Sequence, residues 1–198
     1  MRKKTIRISP EYSDIDDIMK QYHFNQSDRP QINSIYRQFF SKAYADIYYA
    51  VNPDIAGIDE ESFAVAVVTL GRQMDELASS YLEAGLIMDT YMLDALAMKI
   101  MTKAYVGLVQ SVTNDTGMTV RELSFLGDRY GMELMPEILE VLSPCEVTCN
   151  DAYMLTPLKS VCLVLPLKKS VDIITSSQIK AICHTCFSCK NTDCAMRR

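Results

Sequence analysis

The sequence predicts an α+β fold. Three observations point there. Short β-branched apolar runs, Phe63–Leu70 and Ser160–Leu167, have strand length and strand composition. Other segments space their apolar residues three and four apart, as amphipathic helices do. The two kinds are interspersed without a regular βαβ alternation, which disfavours a doubly wound sheet.

Taken in order, Thr5-Ile6-Arg7-Ile8 alternates and predicts a short edge strand. Ser13–Tyr22 places Ile15, Ile18 and Met19 at helical spacing, with Ser13 as the N-cap. Asp28-Arg29-Pro30 predicts a turn. Gln31–Val51 carries Ile32, Ile35, Tyr36, Phe39, Phe40, Tyr44, Ile47 and Tyr48 on a wide helical stripe, which Asn52-Pro53-Asp54 ends. Core packing is the reading of that stripe, ahead of a ligand-stacking surface. Phe63–Leu70, closed by Gly71, predicts a buried strand, and Arg72–Glu83 a helix with Met74, Leu77 and Leu82 inward. Gly85 separates it from Met88–Ser111, a segment apolar on nearly every side. Such a helix belongs in the middle of a domain, and its methionines read as core filler rather than a cofactor box.

Asn114-Asp115-Thr116-Gly117 predicts a turn and Thr119–Phe125 an extended segment. Pro136 suits the first turn of a short helix over Glu137–Leu142. Glu146–Met154 and Ser160–Leu167 predict strands joined by Leu155–Lys159, with Pro166 at a sheet edge or strand end.

Composition narrows the function classes. The chain has 198 residues, 48% of them hydrophobic and 23% charged, which is globular composition. Its net charge of -5 and pI of about 5.1 argue against a nucleic-acid partner held through phosphates. The basic start, Met1-Arg2-Lys3-Lys4, is followed by no apolar run, so no signal peptide is expected. No apolar stretch has membrane-spanning length, and a cytoplasmic, reducing compartment is expected. There is no phosphate-binding glycine loop, nucleophile elbow or His-Glu-x-x-His pattern, and only His23 and His184. A His-based hydrolase is therefore disfavoured.

The sharpest chemical signal is at the end. Cys183-x2-Cys186-x2-Cys189-x4-Cys194 sets four thiolate donors within twelve residues. Two-residue spacers let a chain turn around one centre, and soft thiolates suit an iron–sulfur cluster or zinc. A zinc knot that ties down the C-terminus and four metal-free thiols are the plainer alternatives. Residues 180–198 hold four Lys/Arg against one Asp, so this tail is +3 and the remainder is -8. His184 reads as a spacer. Cys145-x3-Cys149 and Cys162 read as buried thiols. Asp89 and Asp94 lie on different helix faces, so they form no carboxylate pair.

Three segments in this order resemble a known pattern: Ala64–Gly71, then Ala84–Ala97, then Tyr153–Val161. Together they resemble the activation domain of cobalamin-dependent methionine synthase, and most of all its short stand-alone relatives, which can end in a Cys-rich tail. The likeness covers roughly residues 60–198. It implies a curved, mostly antiparallel sheet packed with helices. It also implies binding of S-adenosylmethionine (AdoMet), docking to a corrinoid protein or methyltransferase, and rescue of an oxidised corrinoid by reductive methylation. An electron donor such as flavodoxin or ferredoxin would serve it. The family holds AdoMet with an Arg followed closely by a Pro-Gly-Tyr loop. Here Arg121-Glu122-Leu123-Ser124-Phe125-Leu126-Gly127 stands in that place. Arg121 and Ser124 match as cofactor-binding residues, with Arg121 as a carboxylate clamp. The Pro-Gly step is replaced by Phe125-Leu126.

The expected organisation is a helical segment at 1–55 packed on the main domain, an activation-like α+β domain at 56–180, and a metal-binding tail at 181–198. Cys183, Cys186, Cys189 and Cys194 are the expected ligands; no catalytic residue is assigned. The expected function is corrinoid reactivation. The alternatives are a docking relative that has lost AdoMet and a small iron–sulfur electron carrier.

Overall fold

The computed structural model describes residues 1–7, 12–40 and 44–169. Strand β1 (Arg2–Arg7) is followed by helix α1 (Tyr12–Gln21), helix α2 (Arg29–Phe40), and strands β2 (Tyr44–Val51) and β3 (Phe63–Thr69). Helices α3 (Arg72–Glu83) and α4 (Ile87–Thr116) come next, then β4 (Met118–Val120), β5 (Ser124–Phe125) and helix α5 (Met135–Val141). Strands β6 (Thr148–Cys149), β7 (Leu155–Thr156) and β8 (Ser160–Lys169) complete the order. The fold is α+β with a curled antiparallel sheet. Its order is β1-β2-β3-β8-β4, with β5 also on β8; β6 and β7 form a separate small ladder.

Both sheet faces are covered. Ile47, Tyr49, Ala66, Val68, Leu163 and Leu165 pack toward α1, α2 and α4. Tyr48, Val65, Val67, Cys162 and Val164 pack toward α5 and the following loops. This explains why β3 is buried at every position and reads as a continuous apolar run. It also explains the main correction. Gln31–Val51 is not one helix: α2 ends at Phe40 and Tyr44–Val51 is a strand paired on both sides, with β1 and β3. In a strand covered on both faces, apolar residues fall at every spacing, including the helical one, so periodicity alone misreads it.

The edge strand at Thr5–Arg7 is present and pairs with β2. Ile15, Ile18 and Met19 of α1 are buried as expected. Ser13 lies inside α1 rather than capping it. Asp28-Arg29-Pro30 is no turn: a 3-10 turn over Gln26–Asp28 runs straight into α2. Asn52 does stop β2. It holds a positive φ of 46°, and its Oδ1 accepts from the Phe63 N–H at 2.9 Å and the Ser62 hydroxyl at 3.1 Å.

Met74 of α3 is buried, but Leu82 is exposed. Helix α4 has 30 residues and spans about 45 Å at 1.5 Å per residue. It runs through the expected turn at 114–116 and stops only at Gly117, whose φ of 66° lets its N–H reach the Thr113 carbonyl at 2.9 Å. Asp115 in this last turn opposes the helix dipole. Arg2 at 2.6 Å, Lys4 at 3.6 Å and the Tyr49 hydroxyl offset that, so β1 is pinned to the helix end.

Helix α5 begins with Pro136 in its first turn, as expected. The strand expected over Glu146–Met154 shrinks to Thr148–Cys149. Pro166 sits inside β8, between neighbours, rather than at an edge. Leu167 bonds to Ser62 on the β3 side, so Pro166 turns its nitrogen toward the break between β4 and β5. There the missing N–H costs no ladder bond, while its carbonyl accepts from the Arg121 N–H at 2.9 Å.

Candidate functional site

The three segments of the sequence resemblance meet in space around Lys159. Thr69 and Val68 of β3 pair with Ser160 and Val161 of β8. The Leu70 N–H donates to the Lys159 carbonyl at 2.9 Å. The Lys159 ammonium pairs with Asp94 of α4. Next to it, the Leu158 N–H donates to Asp75 of α3 at 2.8 Å. Inside this junction the buried Ser160 hydroxyl donates to Thr69 Oγ1 at 2.7 Å, and the Gly71 N–H donates to the same oxygen at 3.1 Å. Gly71 has φ 75°, which turns the chain from β3 into α3.

A cleft of about 530 Å³ opens at this end of the sheet. Phe39, Leu70, Met74 and Leu77 give it apolar walls, and Gln38, Tyr44, Gln73 and Glu76 give it polar groups. A second, polar cleft of about 460 Å³ lies beside it, lined by Arg72, Asp75, Glu76 and Glu83 among others. Arg121 and Ser124 line neither cleft.

Arg121 and Ser124 occupy the other end. Ser124 of β5 pairs with Val164, and Arg121 bonds to Pro166. Six residues of strand from Ser160 place Pro166 about 20 Å away. The Arg121 guanidinium reaches Glu60 in the β2–β3 loop at 3.4 Å. Glu60 is the centre of a network that the sequence reading missed. Its side chain is only 8% exposed, and its carboxylate also takes Arg129 at 2.7 Å and the Tyr130 hydroxyl at 3.1 Å. Arg129 bridges onward to Glu122 at 2.9 Å, and the Ser124 hydroxyl donates to the same Glu122 oxygen at 3.4 Å.

The hydrogen bond that Arg129 donates to Glu122 holds its guanidinium above its ordinary pKa, and burial, then the bond to Glu60, raises the Tyr130 phenol. Two guanidinium groups face two carboxylates, so the cluster is balanced in charge. A ligand carboxylate at Arg121 would compete with Glu60. No local pattern marks Glu60 in the sequence, because its partners lie 61 to 70 residues away.

Phe125 packs edge-on against Tyr105 of α4, with ring centroids 5.8 Å apart. The tight turn after it is made by Gly127, at φ 94°, whose N–H bonds to Tyr130 at 2.7 Å. This glycine turn stands two residues beyond Phe125 and six beyond Arg121.

The expected ligands Cys183, Cys186, Cys189 and Cys194, with His184, lie outside the described residues. Among the described residues no group of three or more His, Cys, Asp or Glu side chains is placed to hold a metal ion. Cys162 is buried as expected, and burial pushes its thiol up to about 12. Cys145 and Cys149 are half-buried rather than fully buried, and pack against the same core as Cys162. No helix among the described residues is long and apolar enough to cross a membrane. No protein-family model matches the chain, and a search of the curated proteins finds no match.

Proposed function

We propose that this chain is a reactivation factor for a corrinoid-dependent methyltransferase. The observation that carries the proposal is the junction at Lys159. The three segments that resemble the methionine synthase activation domain are distant in sequence, yet each supplies a bonded partner there. The curled antiparallel sheet is the fold that the resemblance implies.

In this reading the chain binds AdoMet and docks on a corrinoid protein or methyltransferase whose cobalt is oxidised to Co(II). A reduced flavodoxin or ferredoxin supplies one electron, giving Co(I). The Co(I) electron pair takes the methyl group from the AdoMet sulfonium. A cobalt–carbon bond forms, the carbon–sulfur bond breaks, and S-adenosylhomocysteine leaves. The uphill reduction is drawn forward by the transfer. The chain contributes orientation and exclusion of water. Arg121 holds the AdoMet carboxylate, with Ser124 beside it. Cys183, Cys186, Cys189 and Cys194 would hold an iron–sulfur cluster, which supplies one-electron transfer, or a zinc ion, which supplies structure alone.

The test is calorimetric titration of AdoMet into anaerobic protein. A saturable signal, weakened at least tenfold by Arg121→Ala, is expected. The loss of a charge-assisted carboxylate bond is worth about 1.5–3 kcal/mol, which corresponds to that factor. A second reading, a docking relative that has lost AdoMet, is favoured by one observation: Glu60 already sits against Arg121. Absence of any saturable heat decides for it. A chromophore bleached by dithionite, in protein that binds neither AdoMet nor a corrinoid protein, decides instead for a small electron carrier.

A further inference from the structure

The corner between α3 and α4 carries an apolar surface that neither function reading uses. Leu82, Leu86, Ile87, Met88 and Tyr91 are exposed by 57%, 44%, 73%, 58% and 46%. Exposed leucines scattered singly mean little, but a contiguous group of this kind marks an interaction surface. The α3 end of the corner is closed by backbone bonds. The Leu86 N–H donates to the Tyr81 carbonyl at 2.8 Å, and the Gly85 N–H to the Leu82 carbonyl at 3.0 Å. This is the Schellman arrangement, made by Gly85 at φ 72°. The apolar side chains are therefore displayed on a defined backbone, not on a frayed loop. Along α4, Ile87, Tyr91 and Met98 (45% exposed) continue the surface at helical spacing, which is the spacing that packs against another helix. Tyr91 is itself held edge-on by Phe24 at 5.4 Å and Tyr22 at 6.0 Å.

Charge selects the occupant. Residues 72–98 contain five carboxylates, Asp75, Glu76, Glu83, Asp89 and Asp94, against one cation, Arg72, which shares a cleft with Asp75, Glu76 and Glu83. Lys159 answers Asp94, Gln31 donates to Asp89, and the Leu158 N–H answers Asp75. Glu83 stands exposed next to Leu82 in the last turn of α3. A second copy docking through the same face would set like charges against each other, and an anionic lipid surface would be repelled.

We infer that the α3–α4 corner is a docking surface for a basic amphipathic helix of a partner protein, with Leu86, Ile87, Met88 and Tyr91 taking its apolar face and Glu83 its Lys/Arg side chains. This inference stands apart from the AdoMet reading, since it needs neither Arg121 nor the cysteine tail. The test uses full-length protein and a labelled 18-residue helical peptide with a leucine face and a lysine face. A peptide with glutamate in place of lysine serves as control. Fluorescence anisotropy is expected to show saturable binding of the lysine peptide only, weakened by salt. The pair Ile87→Ser with Met88→Ser, both exposed and so without cost to the fold, is expected to weaken it at least tenfold, as is Glu83→Lys. Wild-type protein is expected to sediment as a monomer and to ignore phosphatidylglycerol vesicles. The inference is overturned if the lysine peptide fails to bind, binds equally to the variants, or is matched by the glutamate peptide. It is also overturned by a dimer that the Ile87→Ser, Met88→Ser pair dissolves, or by vesicle binding.

Discussion

Replacing Glu60 by Gln tests the network around Arg121 most sharply. The Gln amide keeps the length of the side chain and an oxygen for the Tyr130 hydroxyl, 3.1 Å away in the native protein. What it removes is the charge that two guanidinium groups share. Those contacts are unequal: Arg129 stands at 2.7 Å and Arg121 at 3.4 Å. Both arginines are near half-exposed, at 49% and 41%, so solvent screens each bond. A bond to a charged group is worth about 1.5–3 kcal/mol when protected, and an exposed ion pair about 0.2–1 kcal/mol. The Glu60 side chain is largely covered while the two guanidinium groups are not, which places the total for Glu60→Gln at about 1–2 kcal/mol. In a chain of this size that is a fall in Tm of roughly 2–8 °C. Urea unfolding of Glu60→Gln, Arg121→Ala, Arg129→Ala and the two double variants measures it. Coupling of Glu60 to Arg129 is expected to exceed its coupling to Arg121. Equal couplings, a larger one for Arg121, or no stability change in Glu60→Gln refutes this assignment. The same variant carries a functional expectation. With the competing charge gone, AdoMet binding at Arg121 is expected to strengthen.

Three further outcomes are expected. Cys162, with its thiol raised to about 12 by burial, should resist alkylation at pH 8 in native protein and react once unfolded, as read by mass spectrometry of the labelled peptide. Its raised value also makes stability full below the ordinary thiol pKa and falling as pH climbs toward 12, by at most about 1.4 kcal/mol per pH unit; Cys162→Val should flatten that fall. Asp115 is held below the ordinary carboxylate range by the bonds from Tyr49 and Arg2. Its contribution is therefore present above that range and lost on acidification, and Asp115→Asn should shift the acid midpoint of β1 release, followed by amide exchange. Under the proposed metal-binding reading of the tail, Cys186→Ser is expected to lower the metal content of anaerobically purified protein, measured by elemental analysis.

How much of this was legible follows from sequence distance. The β3 run, α3, α5 and the corner at Gly85 carry local signals, namely β-branched residues, Pro136 and turn glycines, and they stand where expected. The α2–β2 junction was illegible. Ile47 and Tyr48 pack on opposite faces of β2, both of them covered, and the exposed Tyr44 completes a helical spacing with them by coincidence. The end of α4 is also hard to read, since Asn114-Asp115-Thr116 has turn composition, whereas the helix runs on to the Gly117 cap and the distant Arg2, Lys4 and Tyr49 meet Asp115. Arg121 and Ser124 could be picked from the resemblance. Glu60, Arg129 and Tyr130 could not, because their partnership exists only after β3, β8 and β5 have paired. Exposure of Leu82, by contrast, is legible: five residues beyond Leu77 it lies on another helix face, and Ala78 and Tyr81 complete the stripe that packs on the core with Met74.

The reactivation proposal meets its most direct test in one assay. A Co(II) corrinoid protein, a reduced flavodoxin, AdoMet and this chain are mixed without oxygen, and the corrinoid spectrum is followed. Conversion to the methylated Co(III) form that requires this chain and releases one S-adenosylhomocysteine per cobalt is the predicted result. A Co(II) spectrum that stays unchanged, or changes equally without the chain, contradicts it.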